Sequence, residues 1–275
     1  MHRCALAEGE TGRCRARKNI GGIIRAVNYG RLTAIALDPI EKKPLARFCP
    51  GTMILSVGSY GCNMSCPFCQ NAAISMASAE SAQTRLVKPD ELAEVAISLK
   101  EKGNIGVAFT YNEPLVGYEY VKDAAKAVKR RGMKTVAVTN GAASLEVLAE
   151  LRPWIDAYNI DLKSFSSSYY QKLGGDLEMV KAFIKEAVKD AHVELTTLIV
   201  PKGNDSEEEM AALSSWVGSL DRSITLHLSR FFPAAAMSGR LPIIIYGVSL
   251  GSAVAAQLAQ DRPAAALIIE AGFAS

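Results

Sequence analysis

The chain has 275 residues, 49% of them hydrophobic and 21% charged, the composition of an ordinary globular protein with room for one large domain. Its formal net charge of +3 is too small to indicate nucleic acid or an anionic membrane as a partner. No apolar run approaches the roughly 18 residues of a membrane span, and the N-terminus shows no hydrophobic signal-peptide region. Six cysteines, three of them closely grouped, favour a reducing compartment, so we expect a cytoplasmic protein.

The first 47 residues are predicted to form an N-terminal extension with a β-hairpin. Two apolar stretches, 23–27 and 32–37, flank the turn signal Asn28-Tyr29-Gly30. Cys4 and Cys14 lie in the same extension, and two cysteines supply only half of a metal site. We therefore interpret both as inert thiols. A basic cluster is interpreted as solvated surface, and its members are Arg13, Arg15, Arg17 and Lys18.

After residue 48, apolar strands and amphipathic helices alternate. The strands are predicted at 53–57, 105–109, 134–138, 157–162, 193–200 and 224–228, and the helices at 89–102, 118–131, 144–152, 177–189 and 206–216. Strands that alternate with helices require a parallel sheet with right-handed crossovers. Eight such units would close a full barrel, so six predict an α/β fold built as a partial, open (β/α)6 barrel.

A glycine-rich loop follows the first of these strands and holds three cysteines. Cys62, Cys66 and Cys69 have the spacing C-x3-C-x2-C. Three thiolates so close in sequence can hold three irons of a four-iron cluster and leave the fourth iron open, which is the mark of a reactive centre. The alternatives are a zinc site or a four-cysteine cluster, with Cys49 as the further ligand. The spacing resembles the cluster loop of the radical S-adenosylmethionine (radical SAM) enzymes. The resemblance implies a [4Fe-4S] cluster whose open iron is chelated by the amino and carboxylate groups of SAM.

Polar residues follow every one of the six strands. Because active sites of such barrels lie at the C-terminal ends of the strands, these groups should meet at one rim. Glu113 can accept a charge-assisted bond from the ammonium group of SAM, and Asn140 can bond ribose hydroxyls or the amino acid end. Asp161 and Lys163 are two positions apart in a strand, so both side chains point to the same side of it. They are interpreted either as a ligand site or as a structural ion pair. The side chain of His227 can likewise point into the barrel.

A closer resemblance extends over residues 1 to about 233. This part is similar to radical SAM proteins related to pyruvate formate-lyase activating enzymes, and especially to the AmmeMemoRadiSam-system branch. The residues that carry it are Cys4 with Glu8-Gly9 and Gly12-x-Cys14, 38–45, Pro50-Gly51-Thr52, 61–71, 110–114, Thr139-Asn140-Gly141, Asp161-Leu162-Lys163 and 229–233.

The closer resemblance also implies roles for individual residues. Asn112 and Glu113 stand where activating enzymes carry their Gly-Gly-Glu SAM motif. The other positions that match the lining of the SAM site are Asn140, Asp161, Lys163 and His227. The implied activity is that of a radical SAM oxidoreductase, similar to glycyl-radical activating enzymes, which cleaves SAM reductively to a 5′-deoxyadenosyl radical for hydrogen abstraction. The implied partner is a low-potential electron donor, flavodoxin-like or ferredoxin-like. The substrate, a protein glycine or a small molecule, stays open, as does the oligomeric state.

The resemblance stops near Pro233, and a different pattern follows. Residues 241–275 read as strand, Gly247-x-Ser249-x-Gly251, helix and strand, which resembles the nucleophile elbow of a serine α/β-hydrolase. No histidine follows Ser249 in the sequence, so we expect no hydrolase triad. We therefore predict a core at 48–233 and, at 234–275, a fused fragment that is not an independent domain. Two alternative functions remain, a non-catalytic iron–sulfur protein truncated by the fusion and a serine hydrolase through Ser249.

Overall fold

The computed structural model describes residues 4–231 together with two strands at 244–248 and 266–270. The N-terminal hairpin is formed by β1 (Arg17–Ile20) and β2 (Ile23–Ala26), which pair in antiparallel register. Its two-residue turn is Gly21-Gly22, and both glycines take the left-handed backbone that such a turn needs, with φ of 63° and 75°. The predicted hairpin about residues 28–30 is therefore wrong, because the Gly-Gly turn brings a different pair of strands together.

The main sheet has seven strands, and the six predicted strands are all present in it. In spatial order they are β11 (Thr225–Arg230), β10 (His192–Ile199), β9 (Ala157–Asp161), β8 (Lys134–Thr139), β7 (Asn104–Phe109), β5 (Met53–Gly58) and β4 (Ala34–Pro39). Neighbouring strands from β5 to β11 are parallel, whereas β4 pairs antiparallel with β5. The partial (β/α)6 barrel is confirmed, with an edge strand added from the N-terminal extension. Outside this sheet, β3 (Arg31–Leu32) pairs antiparallel with β6 (Arg85–Leu86).

The helices cover the outer face of this sheet. Those described are α1 (Ala72–Ser75), α2 (Pro89–Ser98), α3 (Tyr118–Arg130), α4 (Leu145–Leu151), α5 (Ser167–Lys172), α6 (Leu177–Ala187) and α7 (Glu207–Leu220). The short helices α1 and α5 were not predicted, because two turns or fewer leave no clear apolar periodicity. At the start of α7, Ser206 Oγ accepts from the Glu209 N–H, and the Glu209 carboxylate accepts from the Phe165 N–H at 2.7 Å. No helix within the described residues is long and apolar enough to cross a membrane.

Alternate residues along each strand separate the outer core from the barrel interior. Outward-facing residues such as Val107 and Ile160 pack with the helices in the largest buried cluster. Inward-facing Ile54 and Val136 instead pack with Ile40 and Leu45, which precede the first parallel strand. The segment 40–48 therefore fills the N-terminal end of the barrel.

Polar contacts fix this plug, defined here as residues 40–48. Asn159 Nδ2 donates to the Pro44 carbonyl at 2.8 Å. The Glu194 carboxylate accepts from the Ala46 N–H at 2.9 Å and from the Arg47 N–H at 2.8 Å. Because the plug fills one end of the barrel, a ligand cavity is left at the opposite, C-terminal end.

Beyond residue 231, the structure describes two strands, β12 (Ile244–Val248) and β13 (Ala266–Glu270), which pair in parallel. Both coincide with strands predicted for the C-terminal fragment. Ser249 and the predicted helix that follows it lie outside the described residues. The domain boundaries at 48 and 234 stay predictions, although β4 of the predicted N-terminal extension belongs to the main sheet.

Candidate active site

A cavity of about 540 Å³ opens at the C-terminal ends of the strands. That volume suits a drug-sized ligand. Residues of the cysteine loop and of the strand ends share its wall: Cys62, Met64, Cys66, Phe68, Cys69, Gln70, Asn71, Ser75, Met76, Thr110, Tyr111, Asn112, Glu113, Val138, Thr139, Asn140, Asp161, Lys163, Thr196, Leu198, Ser229 and Arg230. All three predicted cluster ligands and five of the six residues predicted to bind SAM are among them.

The cysteine loop turns sharply where it leaves β5. Gly61 has φ of +89°, and a Cβ there would lie 2.5 Å from the Cys14 carbonyl oxygen. Only glycine combines that backbone with so close an approach. Gly58 is similarly crowded, since a Cβ would lie 2.8 Å from Tyr111 Cβ. The glycines that opened the loop in the sequence therefore allow it to pass between two other segments.

The loop also presents hydrogen-bond donors to its sulfur atoms. Cys62 Sγ accepts from the Met64 N–H at 3.4 Å and from Asn140 Nδ2 at 3.7 Å. The Met64 and Asn140 donors stabilise a thiolate at Cys62 and tune the reduction potential of an iron–sulfur cluster. The Cys69 thiol is itself a donor, to Ser75 Oγ at 3.7 Å.

Burial favours the protonated form of the Cys62 and Cys66 thiols. It raises the pKa of Cys62 to about 12, with a further contribution from the negative charge of Glu113, and it also raises the pKa of Cys66. Thiols in this state ionise on binding metal and release their protons. Within the described residues, no three His, Cys, Asp or Glu side chains are close enough to hold a single metal ion. A four-iron cluster places each cysteine on a different iron, so three thiols spread around one cavity suit it.

Glu113 has the acceptor capacity expected of a SAM ligand. Its Oε1 accepts from the Leu115 N–H at 2.9 Å and from Thr139 Oγ1 at 2.7 Å, and its Oε2 accepts from the Asn140 N–H at 2.8 Å. A carboxylate offers about four acceptor positions, so one on Oε2 remains. Burial raises the pKa of Glu113 to about 7 in spite of these bonds. A bound ammonium group would satisfy that last position and favour the ionised form.

Asn112 has mainly a structural role. Its Oδ1 accepts from the Ser59 N–H at 2.8 Å, and its Nδ2 donates to the carbonyls of Tyr60 and Gly61 at 3.2 and 3.1 Å. These bonds connect the loop after β7 to the start of the cysteine loop. Asn112 reaches the cavity wall, but most of its hydrogen-bonding capacity is used within the protein.

Asn140 lies between the cluster loop and the end of β8. Its Nδ2 donates to Asn63 Oδ1 at 2.8 Å as well as to Cys62 Sγ, while its Oδ1 accepts from the Ala142 N–H at 2.9 Å. Asn63 Nδ2 in turn donates to the Ala142 carbonyl at 2.7 Å. The side chain predicted to bind SAM therefore contacts Cys62, a predicted cluster ligand.

Asp161 and Lys163 form the ion pair that their spacing allowed. Lys163 Nζ lies 2.8 Å from Asp161 Oδ2, and both side chains reach the cavity wall. Burial alone would lower the pKa of Lys163, but the negative charge of Asp161 raises it above its ordinary value. Both charges of the pair act on the Cys66 thiol: Lys163 favours its ionised form, whereas Asp161 opposes it. The ion pair is present, and the ligand-binding role of the two residues stays a prediction.

His227 is placed differently from its prediction. It lies two residues before Ser229 in β11, nearer the N-terminal end of the strand, and its Nε2 is 2.6 Å from Glu194 Oε2. It is not among the residues that line the cavity. Glu194 is wholly buried and also contacts His192 Nε2 at 2.8 Å. Burial would raise the pKa of Glu194, but these bonds and two from the plug lower it to about 2. His227 therefore contacts the carboxylate that anchors the plug, and its role in binding SAM stays a prediction.

Tyr111 is a cavity residue to which the sequence assigned no role. Its backbone is left-handed, with φ of 72°, which is uncommon for a non-glycine residue. Its hydroxyl donates to Asp38 Oδ2 at 2.6 Å, and Lys43 Nζ lies 2.8 Å from the same oxygen. Lys43 Nζ also lies 4.8 Å from the centre of the Tyr111 ring. Its presence in the matching 110–114 motif was the only available signal, because the partner Asp38 is 73 positions away.

Known proteins resemble this chain in sequence over most of its length. Residues 56–214 match the Radical SAM superfamily. An uncharacterized protein of Methanocaldococcus jannaschii is 40% identical over 232 residues, which cover 84% of this chain and 68% of that protein. The GTP 3′,8-cyclase of Peptoclostridium acidaminophilum is 30% identical over 160 residues, or 56% of this chain and 48% of the cyclase. This chain thus spans about half of the cyclase.

Solved structures show the same fold at low sequence identity. Streptococcus suis SuiB matches with a TM-score of 0.54 and 14% identity, over 78% of this chain and 48% of SuiB. SuiB bound to S-adenosylmethionine matches with a TM-score of 0.52 and 14% identity, over 80% of this chain and 48% of that one. None of the proteins compared above is a serine hydrolase, and the resemblance predicted for residues 241–275 is not supported.

Proposed function

Because this chain belongs to the radical SAM superfamily, whose enzymes use a [4Fe-4S] cluster and S-adenosylmethionine, we propose that it acts like a glycyl-radical activating enzyme on a separate substrate. The family assignment makes it a radical SAM oxidoreductase that cleaves SAM. The closer relation, to the AmmeMemoRadiSam and activating-enzyme branch, is supported by the matching residues of the sequence. Asn112-Glu113 at the end of β7 is the most informative of these.

When bound, the cluster supplies one electron to the SAM sulfonium, which yields methionine and a 5′-deoxyadenosyl radical that abstracts a hydrogen atom. The protein contributes ligands, orientation and a cavity around that chemistry. Cys62, Cys66 and Cys69 are the proposed cluster ligands. Glu113 is the proposed acceptor for the SAM ammonium group, through the remaining position on Oε2.

The single observation that carries this proposal is the cavity that three thiols share with Glu113. A purely structural metal site would have no need of a 540 Å³ space beside its ligands, nor of a buried carboxylate with an unused acceptor position. Asp161 and Lys163 also line this cavity. We propose that they contact SAM, the substrate or both.

The decisive experiment is anaerobic reconstitution of the full chain with iron and sulfide, followed by reduction with dithionite in the presence of SAM. We expect a [4Fe-4S] EPR signal that SAM perturbs, and equal amounts of methionine and 5′-deoxyadenosine. Cys66→Ala should remove the cluster signal and the cleavage, whereas Cys49→Ala, which tests the alternative ligand, should preserve both. SAM cleavage by Cys66→Ala would overturn the ligand assignment.

The activating role needs a second measurement. A glycine-containing target protein, incubated with the reduced enzyme and SAM, should develop the doublet EPR signal of a glycyl radical. Production of deoxyadenosine together with a modified small molecule, and no protein radical, would contradict the activating role but leave SAM cleavage intact.

A further inference from the structure

The N-terminal part of the chain has a pronounced charge asymmetry. Residues 11–37, called here the basic segment, contain six basic residues and no Asp or Glu, although the net charge of the whole chain is only +3. The six are Arg13, Arg15, Arg17, Lys18, Arg25 and Arg31. The sequence interpretation treated the first four as ordinary solvated surface, but the structure places the segment against the cysteine loop.

Direct contacts hold the basic segment on that loop. Tyr60 Oη donates to the Val27 carbonyl at 3.0 Å, and Asn28 Nδ2 donates to the Tyr60 carbonyl at 3.2 Å. The Cys14 carbonyl lies within 2.5 Å of where a Cβ on Gly61 would be. The basic segment is therefore a layer on the outer side of the loop that carries the cluster ligands.

Two exposed arginines come close to the loop itself. A Cβ on Gly174 would lie 2.8 Å from Arg13 Nη2 and 3.4 Å from Ser65 Oγ, so the guanidinium lies beside the residue that precedes Cys66. The Arg31 carbonyl accepts from Ser59 Oγ at 2.6 Å. Arg13 thus brings its positive charge beside the cysteine loop, whereas Arg31 contacts the loop through its backbone.

The cations are not arranged for stability of the hairpin. Lys18 and Arg25 stand directly opposite each other across β1 and β2, and like charges in such a pair are destabilising. Within residues 4–231, Arg17 is the one member of the six that forms a salt bridge, with Glu119 at 2.7 Å. Glu8, which accepts from the N–H groups of the hairpin turn, and Glu80 both lie close enough to Lys18 to offset its charge. The exposed surplus of positive charge therefore belongs to arginines such as Arg13 and Arg25.

A small cavity lies between the basic segment and the cysteine loop. It has a volume of about 100 Å³, and its wall includes Cys14 and Arg17 from the basic segment and Asn63 from the cysteine loop. Asn63 directly follows the ligand Cys62. One layer of residues therefore separates the basic segment from the cluster site, which makes this face a short route for an electron.

We propose that the basic segment is the docking surface for an acidic, low-potential electron carrier protein that reduces the cluster. The inference rests on the proposed function, because reductive cleavage of SAM consumes one electron per event. One electron leaves the hydroquinone of a flavodoxin-type carrier, which becomes the semiquinone, and enters the cluster, whose core charge falls from 2+ to 1+. No bond forms or breaks in this transfer. Opposite charges steer the encounter and raise its rate.

The test compares two double variants with the same change in net charge. Arg13→Glu with Arg25→Glu reverses two exposed charges of the basic segment. Lys100→Glu with Lys102→Glu is the matched control, because these exposed lysines precede β7 at the opposite end of the barrel. Each reconstituted protein is mixed anaerobically with flavodoxin hydroquinone, and the second-order rate constant of cluster reduction is followed by stopped-flow absorbance at several ionic strengths. Dithionite reduction of each protein is measured in parallel.

We expect the basic-segment variant to be reduced by the carrier at least tenfold more slowly than wild type at low ionic strength, and the control to match wild type within twofold. The difference should shrink as salt rises, because salt screens exposed charges. Dithionite reduction and SAM-induced EPR changes should be the same in all three proteins. Equal carrier rates for the two variants would overturn the proposal, as would binding of RNA that excludes the carrier. Loss of SAM cleavage with dithionite in wild type would instead contradict the proposed function.

Discussion

At Glu113, burial and hydrogen bonding act against each other. The carboxylate accepts three hydrogen bonds, yet burial raises its pKa to about 7 and one acceptor position on Oε2 is left. An ammonium group would complete the coordination of the charged form. The affinity of the site for SAM should therefore depend on the ionisation of this one residue.

We predict that SAM binds more weakly as the pH falls through 7. The ammonium group needs the ionised carboxylate, whose fraction decreases roughly tenfold for each pH unit below its pKa. Glu113→Gln removes the charge and should weaken binding at least tenfold at pH 8, since a hydrogen bond to a charged group contributes about 1.5 to 3 kcal/mol. The SAM-dependent EPR change of the reconstituted enzyme, titrated between pH 6 and 8.5, measures both effects.

The matched control for this titration is Glu119→Gln, an acidic residue outside the cavity that pairs with Arg17. It should preserve the pH dependence of the wild type. A pH dependence that survives in Glu113→Gln would assign the titration to another group.

Tyr111 and Asp38 form the second residue-scale prediction. The hydroxyl bond of 2.6 Å connects the cavity wall to a carboxylate deep in the barrel. Tyr111→Phe and Asp38→Asn should each lower the free energy of unfolding, the first by about 1.5 to 3 kcal/mol. Because both remove the same bond, the double variant should lose less than the sum of the two. Urea unfolding of the metal-free wild type, the two single variants and the double variant gives the four free energies of this double-mutant cycle. Strictly additive losses would contradict a direct coupling between Tyr111 and Asp38.

Among the elements, the cysteine loop depends on glycine at one close approach. Gly61→Ala adds a Cβ 2.5 Å from the Cys14 carbonyl oxygen, so the loop has to move. Gly132 provides a matched control, since its φ of +71° is also left-handed but a Cβ there meets nothing within 4 Å. In both variants, alanine in the left-handed backbone region lowers the free energy of unfolding by about 1 to 2 kcal/mol. We predict that only Gly61→Ala loses iron on reconstitution, and equal iron content in the two would remove the steric argument.

The plug gives a prediction about acid stability. Its anchor Glu194 has a pKa lowered to about 2 from 4.5, so it stabilises the fold fully above pH 4.5. That contribution is lost as the pH falls from 4.5 towards 2, when the folded-state carboxylate takes up a proton. Glu194→Gln should destabilise the metal-free protein by about 3 to 5 kcal/mol at pH 7, because it breaks a buried ionic network. The loss should shrink at low pH, and a constant difference from pH 7 to 3 would contradict the assignment.

The element scale also shows what sequence patterns can and cannot predict. The six parallel strands were found because each is a short apolar run between helices with clear periodicity. The hairpin was mispaired because two turn signals, Asn28-Tyr29-Gly30 and Gly21-Gly22, lie close together and only tertiary contacts choose between them. The plug was not foreseen, since its bonds join residues more than 100 positions apart, such as Asn159 and Pro44.

The same limit applies to the site. The cysteines and Glu113 follow from local spacing and from their positions at strand ends. His227 points inward as predicted, but its depth along the strand depends on register, and Glu194 takes it as a partner. The sequence places Asn112 and Asn140 at the rim of the barrel. It does not show whether their side chains bind a ligand or form hydrogen bonds within the protein.

For the whole molecule, we predict that the chain shortened to residues 1–233 cleaves SAM at a rate within threefold of the full chain. All proposed cluster and SAM residues lie between positions 62 and 163, in the part of the chain that the structure describes. Deoxyadenosine formation per cluster, measured for both forms with dithionite, is the readout. A cluster that assembles in the shortened chain but gives no deoxyadenosine would assign an active role to residues 234–275.

The plug has a kinetic consequence for the complete enzyme. Within the described residues the plug fills the N-terminal end of the barrel and the cavity lies at the C-terminal end, so we expect SAM, substrate and products to use the same opening. The molecule placed deepest must then enter first and leave last. We expect a compulsory order in which SAM precedes the substrate, and methionine and deoxyadenosine depart only after the substrate has cleared the mouth. Excess substrate should accordingly slow turnover by holding spent products inside.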